Sequence, residues 1–328
     1  MPTKVSIIIP TVLADVALDE CLASLAVQTL QDYEVIVVVN GLLERELPVA
    51  ARVVHVGRNV GYGGAVNLGI QESSAPYILA LNDDTIADPR LLEHLATAMD
   101  ARYEIGMCAP QIRLRGRNAI DSTGMLIAPD GTSKQRAHGA ALATSPDRPT
   151  HALLPSGCAA LYRRAMLDET GPFAEEFFLY CEDTDLGLRA RWKAWECVYV
   201  PEAIVDHEYS HTSGPVSALK AYYVERNRIS LVIRNFPAKL LLASPWHTAC
   251  RYYWHWRFLR EGLGKAASYT GGESLGLIAF RAWRDALRQL PRLWRERKQI
   301  RKGARLTPVQ FSKLLKSYRI SSREVASL

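Results

Sequence analysis

Short apolar runs separated by polar, helix-periodic stretches set the rhythm of the N-terminal part of the chain. Val5-Ser-Ile-Ile-Ile-Pro10, Glu34-Val-Ile-Val-Val-Val39, Arg52-Val-Val-His-Val56 and Pro76-Tyr-Ile-Leu-Ala-Leu81 are too short for helices. They are also too continuously apolar to alternate, which is how strands buried on both faces read. Leu18, Leu22 and Leu25 recur at helical spacing within a predicted helix over 15–28. Strand–helix–strand alternation of this kind predicts a mostly parallel sheet with helices on both faces and right-handed crossovers. Further strands are expected over 106–114, 155–162, 197–201 and 203–207. The intervening 115–150 stretch, polar and rich in Gly, Pro and Ser, predicts a hairpin and loop around Pro129-Asp-Gly131. From Ser217 the period changes, with Leu219, Tyr222, Tyr223, Arg226, Ile229, Val232 and Ile233 on a helix that Pro237 should end.

Composition adds a sharp division. The net charge is +6 over 328 residues. Residues 1–215 carry 17 Lys/Arg against 28 Asp/Glu, a net of −11, whereas 216–328 carry 23 against 6, a net of +17. The expected organisation is therefore an acidic catalytic domain over 1–215, then a helical, basic, Trp-rich region over 216–328 that meets something anionic. An apolar content of 48% excludes general disorder. No apolar run approaches the roughly 18–20 residues that span a bilayer. No charged-then-apolar leader opens the chain, and the six cysteines form no CxxC pair. Free thiols and a cytoplasmic setting are expected.

Three polar clusters carry candidate chemistry. Asn82-Asp83-Asp84 directly follows a strand, where open α/β sheets bind ligands, and paired carboxylates there can hold a divalent cation that bridges a diphosphate. Asp also ends strands in ordinary turns. Asp88-Pro89 should then cap a helix over 90–101. Arg58-Asn59-Val-Gly61-Tyr-Gly63-Gly64-Ala-Val-Asn67 is a glycine-rich turn opening a helix, a place that favours an anionic or polar ligand. Its spacing is neither the dinucleotide fingerprint nor the phosphate loop of NTPases. In Glu182-Asp183-Thr-Asp185 three acids fall in the first turn of a helix, which is stabilising by itself.

Taken in order, these motifs, together with Pro155-Ser-Gly157-Cys and Tyr222-Tyr-Val-Glu-Arg226-Asn227, closely resemble inverting family 2 glycosyltransferases of GT-A fold, in their bacterial rhamnosyltransferase-like branch. The resemblance spans about 3–236. It implies a nucleotide-diphosphate sugar donor, Mn²⁺ or Mg²⁺, and transfer with inversion to a hydroxyl of a lipid-linked or cell-surface glycan. It further implies Asp84 and His207 as metal ligands, with His211 a competitor, and Asp183, beside Glu182, as the general base. Thr11, Asn40, Arg58, Asn59, Gly61, Asn67 and Asp83 are expected at the donor, and Gly157, Asp185 and Arg226 at the acceptor. The family usually has Asp where this chain has Val39, so base recognition should fall on Thr11, Asn40, Arg58 or Asn59.

Two other classes compete. A sugar nucleotidylyltransferase would carry a basic glycine-rich signature after the first strand, and Pro10-Thr-Val-Leu-Ala-Asp has none. A catalytically silent nucleotide-binding or membrane scaffold has no need of both acidic clusters. No helix-turn-helix, zinc or RNA-binding pattern supports a nucleic-acid partner. In 279–295, Trp283, Leu287, Leu290 and Trp294 share one helical face opposite Arg281, Arg284, Arg288, Arg292 and Arg295. That pattern predicts peripheral binding to an anionic surface, the cytoplasmic face of the inner membrane, with Pro291 breaking or kinking the helix.

Overall fold

The computed structural model describes residues 3–41, 51–208, 217–262 and 273–327. They form two compact units with interleaved chain segments: 1–125, 135–178 and 195–209 make the first, and 126–134, 179–194 and 210–328 the second.

The first unit is built on a ten-stranded sheet. Its strands are β1 (Val5–Thr11), β2 (Tyr33–Val39), β3 (Arg52–His55), β4 (Tyr77–Leu81), β5 (Thr85–Ala87), β6 (Ile105–Leu114) and β7 (Ile120–Ser122). After β8 (Met125–Ile127) and β9 (Ser133–Gln135), which pair as a separate hairpin, come β10 (Thr150–Ala152), β11 (Ala159–Arg163) and β12 (Glu196–His207). The order is β10-β12-β6-β11-β4-β1-β2-β3, with β5 on β12 and β7 on β6. Most of the paired length is parallel, β11 being the antiparallel insert between β4 and β6. β12 takes both segments expected around Pro201 as one strand, absorbing the proline in a bulge between Val200 and Ile204.

Alternation along β1 explains the layers. Ile7 and Ile9 join Leu18 and Leu22 of α1 (Val16–Leu25) and Leu91 and Leu95 of α3 (Leu91–Asp100) in one buried cluster. Ile8 points the other way, against α2 (Gly61–Gln71), where a side chain on Gly69 would meet it at 2.4 Å. Asp88 is not the N-cap of α3: it accepts the Arg90 N–H two residues earlier, and the helix starts at Leu91. α4 (Arg164–Thr170) completes this unit.

The second unit is helical: α5 (Glu182–Trp192), α6 (Ala218–Asn235), α7 (Ala238–Arg260), α8 (Leu275–Arg288), α9 (Leu290–Lys302), α10 (Pro308–Ser317) and α11 (Ser322–Ser327), with the β8–β9 hairpin. Ser217 caps α6 by accepting the Lys220 N–H. The single amphipathic helix expected over 279–295 is two helices, because Pro291 starts α9 instead of continuing α8. Part of its apolar stripe is internal. Trp283 packs with Ala286 and Leu293 on Ile229 and Ile233 of α6, and its indole N–H donates to Glu225 at 3.0 Å.

Candidate active site

Strand polarity gathers the first group of polar residues. β1, β2, β4, β6 and β12 run the same way and β11 runs against them, so the ends of the former and the start of the latter share one sheet edge. Thr11, Asn40, Asp83, Asp84, Gly157 and His207 all belong to that edge. The register of β5 on β12 sets Thr85 opposite His207, which brings Asp84 beside the histidine.

His207 Nε2 lies 3.5 Å from Asp84 Oδ1. Its Nδ1 is 2.7 Å from Asp121 Oδ2, while Asp121 Oδ1 is 2.9 Å from His138 Nδ1. Asp121 is buried, and the bonds from the two histidines outweigh that burial and hold its carboxyl below the usual range. Burial works against an imidazolium at His207, but Cys158, Asp121 and Asp84 favour it, and its pKa is raised. Asp121 therefore fixes the ring so that Nε2 addresses Asp84, an outer-shell arrangement typical of metal-ligating histidines. Asp84 Oδ1 is buried and has no hydrogen-bond partner. Beside it, burial and the neighbouring Asp84 charge push the Asp83 carboxyl up to about 6, against a hydrogen bond from Thr11. Sequence reasoning missed Asp121 and His138, which fall in the stretch read as loop. Their only signal was an acid and a histidine among small polar residues.

The glycine-rich turn is architecture. Gly61 has φ +80°, and a Cβ there would come within 2.2 Å of the Phe178 carbonyl oxygen. That carbonyl accepts the Tyr62 N–H at 2.8 Å, and Asn59 Oδ1 accepts the Gly61 N–H at 2.9 Å. The start of α2 thus has internal acceptors for these donors, not a donor phosphate. Asn40 is also committed. Its amide donates to Asn59 and Gly61 and its oxygen accepts the Val60 N–H, which locks the turn to the end of β2. Asn67 bonds the Phe173 backbone at both ends of its amide and also reaches Glu175. Asn40, Gly61 and Asn67, all expected at the donor, make these internal bonds in the structure. Arg58 and Asn59 stay exposed, and the Gly157 carbonyl accepts from the Tyr62 hydroxyl.

In the second unit, α5 starts from Tyr180 and Cys181, both at positive φ (68° and 69°). Non-glycine residues rarely hold this conformation, so a constraint is needed. Asn227 supplies it, its buried amide donating to the carbonyls of Leu179 and Tyr180 at 2.8 Å each. Nearly all of α5 is buried, and Asp183 is the one first-turn acid that keeps some exposure. One of its oxygens accepts from the Thr184 backbone and hydroxyl. Glu182 is buried, which with Asp183 nearby raises its pKa well above the carboxylate range, so it is a poor base. Asp185 is fully buried, and its oxygens meet Arg189, Arg234 and Asn235. This buried pairing ties the helix to α6. Arg226 stacks 4.8 Å from the Tyr223 ring and donates to Asn227. His211 lies outside the described residues.

Among the described residues, no group of three or more His, Cys, Asp or Glu is arranged to hold a metal ion. The protein ligands on offer are Asp84 and His207. Mg²⁺ commonly takes one or two carboxylates and fills its shell with substrate phosphates and water, so a sparse set whose buried Asp84 oxygen makes no hydrogen bond fits such an ion.

N-acetylglucosaminyl-diphospho-decaprenol L-rhamnosyltransferase of Mycobacterium tuberculosis is 28% identical over 63% of this chain and 77% of its own length. Among solved structures, S. aureus TarS 1-349 matches 96% of this chain and 91% of its own at 17% identity, with a TM-score of 0.55. GalNAc-T7 with UDP, GalNAc and Mn²⁺ matches 87% of this chain at 12% identity and a TM-score of 0.60, though only 55% of that chain is spanned. At such identities these two structures speak to the fold alone. The family model for glycosyl transferase family 2 matches residues 6–171. The chain belongs to glycosyl transferase family 2, a glycosyltransferase of its rhamnosyltransferase-like branch.

Proposed function

We propose that the protein transfers a sugar from a nucleotide-diphosphate donor to a hydroxyl of a lipid-linked or surface glycan, with inversion and with a divalent cation. The observation that carries this reading is the buried Asp84 Oδ1, which makes no hydrogen bond and lies 3.5 Å from Nε2 of a histidine whose ring Asp121 fixes. Asp84 and His207 would hold Mn²⁺ or Mg²⁺, His207 releasing its proton to do so. The cation would neutralise charge on the departing diphosphate. Asp83, Thr11, Arg58 and Asn59 are proposed donor contacts, and Gly157 and Arg226 acceptor contacts. Asp183 is proposed to take the proton from the attacking hydroxyl, since Glu182 holds its own proton and Asp185 is fully paired.

L-rhamnose is the first donor sugar to try and a polyprenyl-linked saccharide the first acceptor, following the name of the M. tuberculosis relative. Among the described residues no helix is long and apolar enough to cross a membrane. Work on a lipid-linked acceptor at the cytoplasmic face would then call for peripheral attachment.

The test is hydrolysis and transfer from labelled nucleotide sugars, with and without Mn²⁺, in wild type and Asp84→Ala. The variant should fold, lose transfer and lose the Mn²⁺ dependence of donor binding. Near-normal transfer by the variant would remove Asp84 from the cation site.

A further inference from the structure

α7 is built inside out. Over its length the buried residues are polar: Ser244, Thr248 and Arg251. Arg251 reaches Asp130 Oδ2 at 2.6 Å and Glu225 Oε2 at 2.7 Å, so this face is anchored by buried ion pairs. The opposite face is apolar and uncovered. Leu242 is 82% exposed, Trp246 71%, Tyr253 51% and Trp256 53%. At 100° per residue these four, with Ala249, lie in a sector of about 80°. An ordinary surface helix has the reverse polarity. Large aromatics left in water along three turns mark a surface that something covers.

Charge identifies the cover. The 23 residues of α7 include no Asp or Glu. Arg251 is neutralised on the buried side, so the cations left outside are Lys239, Arg257 and Arg260, of which Arg257 also pairs at 3.1 Å with Glu261 just past the helix end. All three fall within about 60° of the centre of the aromatic sector. Arg257 and Arg260 stack on Trp254 and Trp256, at 5.4 and 5.0 Å from the ring centroids. Trp and Tyr with flanking long cations is the composition that settles at a bilayer's headgroup level, rings at the acyl boundary and cations among the phosphates.

We propose that the exposed face of α7 docks onto an anionic membrane surface, with Leu242, Trp246, Tyr253 and Trp256 inserted and Lys239, Arg257 and Arg260 on lipid phosphates. The assignment favours α7 over the α8–α9 segment, where Leu287, Leu290 and Trp294 stay exposed but Trp283 is used internally and Arg284 and Arg288 pair with Asp285. It deepens the reading of the enzyme as acting on a lipid-linked acceptor, but the surface can be tested without any sugar transfer.

The experiment is sedimentation of the full chain with vesicles of phosphatidylglycerol and phosphatidylcholine, against phosphatidylcholine alone, over a salt series. Wild type should bind the anionic vesicles and lose affinity as salt rises. Each cation contributes about fivefold, so Lys239→Gln with Arg257→Gln and Arg260→Gln should weaken binding on the order of 10²-fold. Trp246→Ser with Trp256→Ser should weaken it at every salt concentration, with an unchanged melting temperature, because both rings are exposed. Donor hydrolysis should be the same in all these variants, which separates failure of the membrane surface from failure of the catalytic reading. Arg284→Gln with Arg288→Gln and Arg295→Gln should bind like wild type. The proposal is overturned if the α7 variants bind normally, or if only the α8–α9 variants are impaired. It is equally overturned if wild type ignores anionic vesicles and instead self-associates through Trp246, which would assign the face to a second copy.

Discussion

Asp83→Asn should make the protein more stable and less active, and the two effects can be tied to one number. Burial pushes the Asp83 carboxyl up to about 6, against an ordinary value of 3.8. The folded state therefore favours the protonated form, and stability conferred by the neutral group is lost as pH rises from the unfolded to the folded value. At about 1.36 kcal/mol per unit, the ionised carboxylate costs up to ~3 kcal/mol near pH 8 and about half that near pH 5. Asn keeps the size, still accepts from Thr11 and carries no charge. For a protein of this size the gain at pH 8 corresponds to roughly 4–5 °C in Tm. Thermal or urea unfolding of both proteins at the two pH values is the assay. A gain of the same size at both, or no gain at pH 8, would refute the idea that a strained carboxylate is held there. Transfer activity should fall in the same variant, a stability cost retained for function.

Asp183→Asn should lower turnover by roughly 10²-fold or more while donor affinity, followed by isothermal titration, stays near wild type; equal loss of both would reassign Asp183 to donor binding. Asp121→Asn should weaken Mn²⁺ binding about 10–100-fold by electron paramagnetic resonance, and should shift the His207 ring nitrogens in ¹⁵N spectra recorded without metal. An unchanged ring signal would show that Asp121 does not orient it. Gly61→Ala should destabilise the fold by more than about 2 kcal/mol in urea unfolding, since positive φ and the Phe178 carbonyl both oppose a Cβ; a near-neutral result would mean that the turn has room to move.

The strands were legible because parallel strands buried on both faces must be continuously apolar, and Val5–Pro10, Glu34–Val39 and Tyr77–Leu81 are. Three-residue β5 was not, although it sets Thr85 opposite His207. Asp83, Asp84 and His207 were singled out by motif order, and the edge they share follows from strand polarity. Asn40, Asn67 and Gly61 were expected at the donor, and their internal bonds were not legible in the sequence. A polar side chain that seals a turn and one that faces a ligand look alike until its partners are known. Asp185 and Glu182 share an acidic motif with Asp183, and only burial separates the three. In α7 the tryptophans were visible, but its polarity inversion was not, because Asp130 and Glu225, which neutralise Arg251, are 121 and 26 residues away.

The clamp on α5 has a consequence for synthesis on the ribosome. Asn227 holds the strained turn before Asp183, and Arg234 with Asn235 neutralises Asp185 inside the helix bundle. While only the first two hundred or so residues have emerged, α5 lacks these partners, and burying Asp185 with Arg189 alone would leave polar groups unpaired. The nascent chain can close its β1–β2–β4 sheet early, yet the proposed base cannot be locked until α6 has cleared the exit tunnel. A polypeptide terminated before Asn227 would retain the Asp84 edge and lack a positioned Asp183. In such a fragment the proposed donor edge would be in place before the proposed base, which waits for the C-terminal segment.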